Sequence, residues 1–348
     1  MKLKSLLIGS AAVMAVSTGT AKAADAIVMA EPEPMEYVRI CDVYGTGFFY
    51  IPGTETCMHI NGYYRFEIRI DPNGWNWFSR FQLNVDVRSE TEWGTLRGYA
   101  EGRFDYGVGP YVGIVAGAPA VITGYNTTSY LNQGFIEIIT GSGTLRMGKS
   151  DTPYARFLGY GGDAVFDGTY GYRNGNEISY TFRGSNGFSA IIALIDDGDG
   201  DFMPDVEGGI NFAQGWGSFG VIAGYDESLA QWGAKAVLRW RAANGSVSGS
   251  FQVLYSGGAA AGPYQIGDPG GAAGNVAPWS ILAHVKGQFT ATTAAFLQAQ
   301  WFSNTGGFEI VGGLDLRPVT DFRIRPEIRY RSTNATWAAI IRFDRNIP

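Results

Sequence analysis

Histidine and cysteine are scarce in this chain, at two residues each among 348. A hydrolytic centre would have to use His59 or His284, and both alternate onto polar strand faces with no suitable nucleophile beside them. The sequence therefore offers no nucleophile–base pair and is not read as an enzyme. Two thiols with His59 alone nearby fall short of a tetrahedral metal set. Past the N-terminal segment no run reaches the ~20 apolar residues of a spanning helix. Charged residues make up 17% of the chain, with a formal net charge of −6 and no basic block, so nucleic acid is not an expected partner. No glycine-rich loop leads from a strand into a helix, and no cofactor is implied. The stretch DDGDGD puts Asp197, Asp199 and Asp201 at positions 1, 3 and 5 of a calcium loop. Phe202 stands where that loop needs glycine, however, and Gly208 where it needs glutamate, so the stretch reads as a solvated external loop.

What is abundant is glycine, at 50 residues, and aromatic side chains, at 14%. That glycine content disfavours a helical protein, and the aromatic content disfavours disorder. The N-terminus has Lys2 and Lys4, then the apolar SLLIGSAAVMAVSTG, then the small-x-small site AKA at 21–23. This is the pattern of a secretory signal peptide over residues 1–23. Its removal takes Lys2, Lys4 and Lys22 and moves the formal charge to −9. Residues 24–56, with the acidic, proline-broken ADAIVMAEPEPMEY, read as a periplasmic lead-in to a barrel over 57–348. In an oxidising compartment Cys41 and Cys57 are expected to form a disulfide.

The chain from residue 57 is a series of alternating runs. In INGYYRFEIRI (60–70), Ile60, Tyr64, Phe66, Ile68 and Ile70 oppose Asn61, Tyr63, Arg65, Glu67 and Arg69. FQLNVDV (81–87) and LRGYAEGRFDY (96–106) repeat the pattern, and FRIRPEIRYR (322–331) places Arg323, Arg325, Glu327, Arg329 and Arg331 on one face. Strict alternation is the mark of strands with one apolar and one polar face. Four arginines on one strand face do not fit a packed interior; they fit the wall of a water-filled tube. Seven short links fall near residues 91, 141, 184, 213, 242, 290 and 317. Links that are longer or more variable fall near 71–78, 107–128, 150–175, 196–203, 257–278 and 304–306, with brief ones near 227 and 333. Short turns alternating with longer loops predict an all-β, antiparallel transmembrane barrel of about 16 strands. Trp93, Phe188, Trp216, Trp240 and Phe289 sit beside short turns, as an interfacial aromatic girdle requires.

The segment EYVRICDVYGTGFFYIPGTETCMHINGYYRFE (36–67) resembles the opening of alphaproteobacterial outer-membrane porins. The resemblance continues through GKSDTPYARFLG, SYTFRGSNGFSAIIAL, FMPDV, GGINFAQGWGSFGVIAGYD and AAIIRF, nearly the whole chain after the signal. It implies a homotrimer of sixteen-stranded barrels in the outer membrane, passing small hydrophilic solutes by passive diffusion. The implied surroundings are lipid and lipopolysaccharide, with insertion by the barrel-assembly machinery. It also implies that the third external loop, 150–175 here, folds inward and constricts the pore. Asp151, Asp163 and Asp167 on that loop would then face a basic wall of Arg65, Arg69, Arg88, Arg97, Arg103, Arg323, Arg325 and Arg329. About half of those arginines are expected to be neutralised by neighbours such as Glu67, Glu101, Asp105 and Glu327. A substrate-selective channel of the same fold and a non-conducting barrel acting as adhesin or receptor stay open alternatives. One departure stands out: such porins end on an aromatic residue, whereas here DRNIP follows Phe343 and reads as a tail added after the last strand.

Overall fold

In hydrocarbon each unsatisfied backbone N–H or C=O costs several kcal/mol, so a sheet that crosses a membrane must close on itself. The computed structural model, which describes residues 39–72, 74–107, 126–198, 200, 202–258, 262–267 and 276–348, shows that closure. The expected signal peptide and residues 24–38 of the lead-in lie outside the described residues. A two-residue strand, β1 (Phe49–Tyr50), precedes the first barrel strands, β2 (Cys57–Asp71), β3 (Gly74–Thr91), β4 (Gly94–Gly107) and β5 (Asn126–Ile139). Next come β6 (Gly143–Asp151), the single helical turn α1 (Pro153–Arg156), β7 (Asn174–Arg183), β8 (Phe188–Ile195) and β9 (Asp205–Gln214). Then follow β10 (Gly217–Asp226), β11 (Gln231–Arg241), β12 (Val247–Ser256) and β13 (Trp279–Thr290). The last four are β14 (Thr293–Phe302), β15 (Phe308–Val319), β16 (Phe322–Arg331) and β17 (Thr336–Ile347). Each of β2 to β17 pairs antiparallel with its neighbours in sequence, and β17 returns to β2 from Ala339↔Ile70 to Ile347↔Gly62. The barrel thus has sixteen strands, as the alternation predicts.

The connections divide by length between the two ends. One end carries tight links such as Glu92-Trp93, Gly215-Trp216 and Thr320-Asp321; the other carries the long 152–173 and 257–278. The first link of the long-loop end departs from expectation. Residues 74–78 belong to β3, which leaves a bare hairpin where a longer loop over 71–78 is anticipated. The third external loop is 152–173, within the expected span.

The burial pattern is inside out. Glu67, Glu101, Glu137, Glu177, Glu207, Glu309 and Glu327 are each at most 4% exposed, whereas Ile70, Ile192, Leu297 and Ile328 are exposed. All nine tryptophans lie outside, between 38% and 69% exposed. Trp93, Trp216 and Trp240 ring the short-turn end, and Trp75, Trp77, Trp232, Trp279, Trp301 and Trp337 ring the other. Rings with an apolar body and a polar edge settle at headgroup level, so the two rows mark the membrane boundaries.

The final residues need a correction. DRNIP is not an appended tail: Asp344 to Ile347 continue β17, with Asp344 opposite Arg65 and Arg345 opposite Tyr64. Beyond Gly62 the edge of β2 is covered by β1, where Tyr50 pairs with Cys57. The Cys41–Cys57 disulfide, with a Cα–Cα distance of 6.1 Å, ties this hairpin to the start of β2.

Candidate functional site: the lumen and the loop inside it

A loop inside a barrel must find partners for its backbone from the wall, and here the wall supplies them. Starting from β6, the third external loop meets β9, where the Tyr154 N–H donates to Glu207 Oε2 at 2.6 Å. It passes β11 and β12, where Arg239 Nε donates to the Leu158 carbonyl at 2.7 Å and Gln252 Nε2 to the Gly161 carbonyl at 3.0 Å. At its far end Glu327 of β16 accepts from the Val165 N–H at 2.7 Å and the Phe166 N–H at 3.1 Å. There Arg325 donates to the Asp163 carbonyl at 2.6 Å, and the Arg329 guanidinium lies 4.2 Å above the Phe166 ring. The return arm exchanges hydrogen bonds with Gln300 through Thr169, and Lys235 donates to the Tyr170 carbonyl at 3.3 Å. Gly171 lets the arm close against its own start: its φ is +73°, and a Cβ there would meet the Tyr154 ring at 2.4 Å. The loop therefore runs along the inner wall from β9 to β16 and back. The inner faces of β2 to β5 and β17 take no part in these loop contacts.

Between β12 and β13, residues 262–267 and 276–278 also lie inward. The Tyr264 ring packs at a tilt against Tyr154 with centroids 5.0 Å apart, and its hydroxyl donates to Glu207 Oε1 at 3.2 Å. Ile266 and Ala277 are buried with Tyr170, Leu254, Leu282 and Phe302. Sequence reading missed this second inward loop, although Tyr264 and Ile266 stand out as large apolar residues amid glycine and alanine.

All eight arginines proposed from the sequence face inward, and every one has a carboxylate oxygen within 4.0 Å, against the half expected. The physical reason is the strand pairing itself. Alternation sends carboxylates of neighbouring strands to the same face, so oppositely charged side chains meet across the ladder. Arg65 reaches Asp344 at 2.6 Å, Arg69 reaches Glu67 at 2.7 Å, and Arg103 reaches Glu101 at 2.7 Å. Arg88 and Arg97 share Asp86 at 2.8 Å, and Arg97 continues to Glu137 at 2.8 Å. Arg323 meets Asp315 at 2.5 Å, Arg325 lies 4.0 Å from Glu327, and Arg329 lies 3.8 Å from Glu309. Arg342, Arg146, Arg80, Lys235, Arg239 and Lys286 also face inward and were overlooked. The same parity that places Arg65 places them, and Arg342 alternates with Ile341 and Phe343 in AAIIRF.

The three loop aspartates take different positions. Asp151 is buried at the end of β6, where its carboxylate accepts from Tyr160 Oη at 2.7 Å, Tyr172 Oη at 2.8 Å and Asn174 Nδ2 at 2.9 Å. Asp167 turns back on the loop and accepts from the Gly162 N–H at 3.0 Å. Asp163 is half-buried, its side chain 42% accessible and 2.9 Å from Lys286.

At the short-turn end the disulfide hairpin packs on inward-facing residues. The Arg88 guanidinium lies 5.0 Å from the Phe48 ring, Phe48 is 5.0 Å from the His59 ring, and Tyr44 Oη donates to Glu90 at 2.7 Å. Desolvation, with the Glu90 carboxylate beside it, pushes the Tyr44 hydroxyl up to about 12.

A closed sheet with aromatic girdles outside, ionised side chains inside and a loop laid along the inner wall defines an outer-membrane β-barrel diffusion channel. A family profile described as porin subfamily matches residues 25–343, and the chain belongs to that family. Porin Omp2b of Brucella suis biovar 1 and that of Brucella abortus are each 37% identical over 383 aligned residues, covering 99% of this chain and all of theirs. Among solved structures, a triple mutant of Rhodopseudomonas blastica porin matches with a TM-score of 0.59 at 13% identity, covering 83% of this chain and 100% of that one. A loop-deletion mutant of the Vibrio cholerae outer-membrane protein OmpT matches at 0.58 and 11%, covering 84% and 100%; both share the fold.

Proposed function

We propose that this channel is a general diffusion porin, narrowed between the third external loop and the inner wall of β16, β17 and β2 to β5. The observation that carries the reading is the loop's course along one side of the wall, which leaves the charged opposite side to the solute path. On this reading Arg65, Arg69, Arg88, Arg97, Arg103, Arg323, Arg325 and Arg329 line the path, and Asp163 supplies the loop's charge. Asp151 and Asp167 hold the loop's shape. Water-filled, charge-lined walls favour hydrated solutes, and neutral ones pass without a saturable step. The functional unit is a homotrimer in lipid and lipopolysaccharide, inserted by the barrel-assembly machinery after cleavage behind Ala23.

Planar-bilayer recording of the refolded mature chain, with uptake of graded neutral sugars into liposomes, tests the proposal. Openings in groups of three and a sharp sugar size limit are expected. A folded protein that gives neither current nor sugar uptake would overturn it.

A further inference from the structure

Two neighbouring inward-facing guanidinium groups stand apart from the paired network. Among the described residues no carboxylate lies in ion-pairing range of Arg239 or Arg241, which sit two apart on β11. Their surroundings follow from the ladder. Ser218, Arg239, Ser250 and His284 form one inward row across β10 to β13, and Arg241, Ser248 and Lys286 form the next. These rows lie toward the short-turn end, since Arg241 closes β11, and the loop residues Gly159 to Asp163 cover them from the other side. The space between is a niche of about 700 Å³.

We propose that this niche binds a small oxyanion, of the phosphate or carboxylate class, on the periplasmic side of the constriction. Arg239 uses Nε and one terminal nitrogen on the Leu158 and Tyr160 carbonyls, which fixes its plane and leaves the other terminal nitrogen without a partner among the described residues. A guanidinium so held presents a preorganised donor to an oxyanion. The exposed Arg241 guanidinium is the second cation, and the hydroxyls of Ser218 and Ser248 are neutral donors at the same depth. His284 Nε2 is buried in the same wall with no hydrogen-bond partner among the described residues. The acids facing the niche are Asp163 from the loop and Asp315 behind it, and both lie 2.9 Å from Lys286. Lys286 is thereby neutralised, and the two arginines carry the excess positive charge. Among the described residues Arg183, at the short-turn end of β7, also has no carboxylate in ion-pairing range, but the niche alone sets two such guanidinium groups beside each other with hydroxyl donors.

The inference rests on the diffusion-channel reading, and the test separates the two. Inorganic phosphate is titrated into trimers conducting potassium chloride at constant pH and ionic strength. A saturable fall in current is expected, with Arg241→Gln raising the half-saturating phosphate roughly three- to tenfold, the scale of one charge-assisted contact near water. Arg345→Gln, at the rim and outside the niche, should keep the wild-type value. A current that declines only in proportion to phosphate, or an Arg241→Gln value equal to wild type, overturns the site. Calorimetry of phosphate with the folded protein in detergent reads the same site without current: binding lost in Arg241→Gln supports it, and no binding to wild type overturns it. Failure to conduct would then count against the channel reading alone.

Discussion

Glu327 shows how one side chain in this lumen serves both wall and loop. Its carboxylate lies 4.0 Å from Arg325 and accepts two backbone N–H groups from the loop's far end. In a dry core, removing it would strand those donors at about 1–3 kcal/mol each. Here water replaces it, so the cost falls on position rather than on folding. Glu327→Ala is expected to leave the melting temperature within a few degrees of wild type while raising open-channel current noise several-fold, as single-channel recording would read. Gly171 makes the opposite case. Its φ of +73°, and a Tyr154 ring only 2.4 Å from where a methyl group would stand, leave no room for adjustment. Gly171→Ala should loosen the loop's base by about 1 kcal/mol or more, seen as new protease cleavage within 152–173 of the folded protein. Which arginines face inward was legible from parity alone, because a strand permits two directions. Whether each is neutralised was not, because that depends on register: Arg65 meets Asp344 across 279 residues of sequence.

Strands were the most legible elements, since lipid outside and water inside impose the period-two signal along their whole length. Leu297 on β14 points to lipid opposite Gly312 and Val285. Leu297→Arg should cost about 2–4 kcal/mol of insertion free energy near the bilayer midplane, read as a lower folded fraction in a denaturant titration in vesicles. Equal stability of variant and wild type would contradict the assigned parity. The ends of elements were less legible. Asp344 to Ile347 extend β17 because β2 still offers them pairing partners down to Gly62, and a partner strand is invisible to local pattern. Inward packing of 262–267 was missed for the same reason, since Tyr264 finds Glu207 and Tyr154 only in three dimensions. The disulfide was legible from compartment and count. Closing a loop with a sequence separation of 16 is worth roughly 3 kcal/mol through the unfolded chain. Cys57→Ser should therefore lower the melting temperature in oxidising buffer, and an unchanged value would mean that packing of Phe48 and Tyr44 alone holds the hairpin.

At the scale of the whole channel, net charge and lumen charge are different quantities. The formal charge of the chain is −6, or −9 without residues 1–23, yet the lumen is a chain of alternating signs, such as Arg88, Asp86, Arg97, Glu137 and Arg146 in contact. Paired opposite charges a few ångströms apart act as dipoles, whose field falls off faster than that of a bare charge. Part of the excess negative charge, including Asp196 and Asp197, lies on the external loops, where salt screens it. Ion selectivity should therefore be weak, with a cation-to-anion permeability ratio within about threefold of unity at 0.1 M salt. It should shrink further near 1 M, where screening reaches about 3 Å. Reversal potentials under a tenfold salt gradient at both ionic strengths measure this directly. A strong selectivity that persists at 1 M would require a ring of unneutralised charge at the narrowest point. The ion pairs of β2 to β6, β16 and β17 would then have to be broken by water in the working channel.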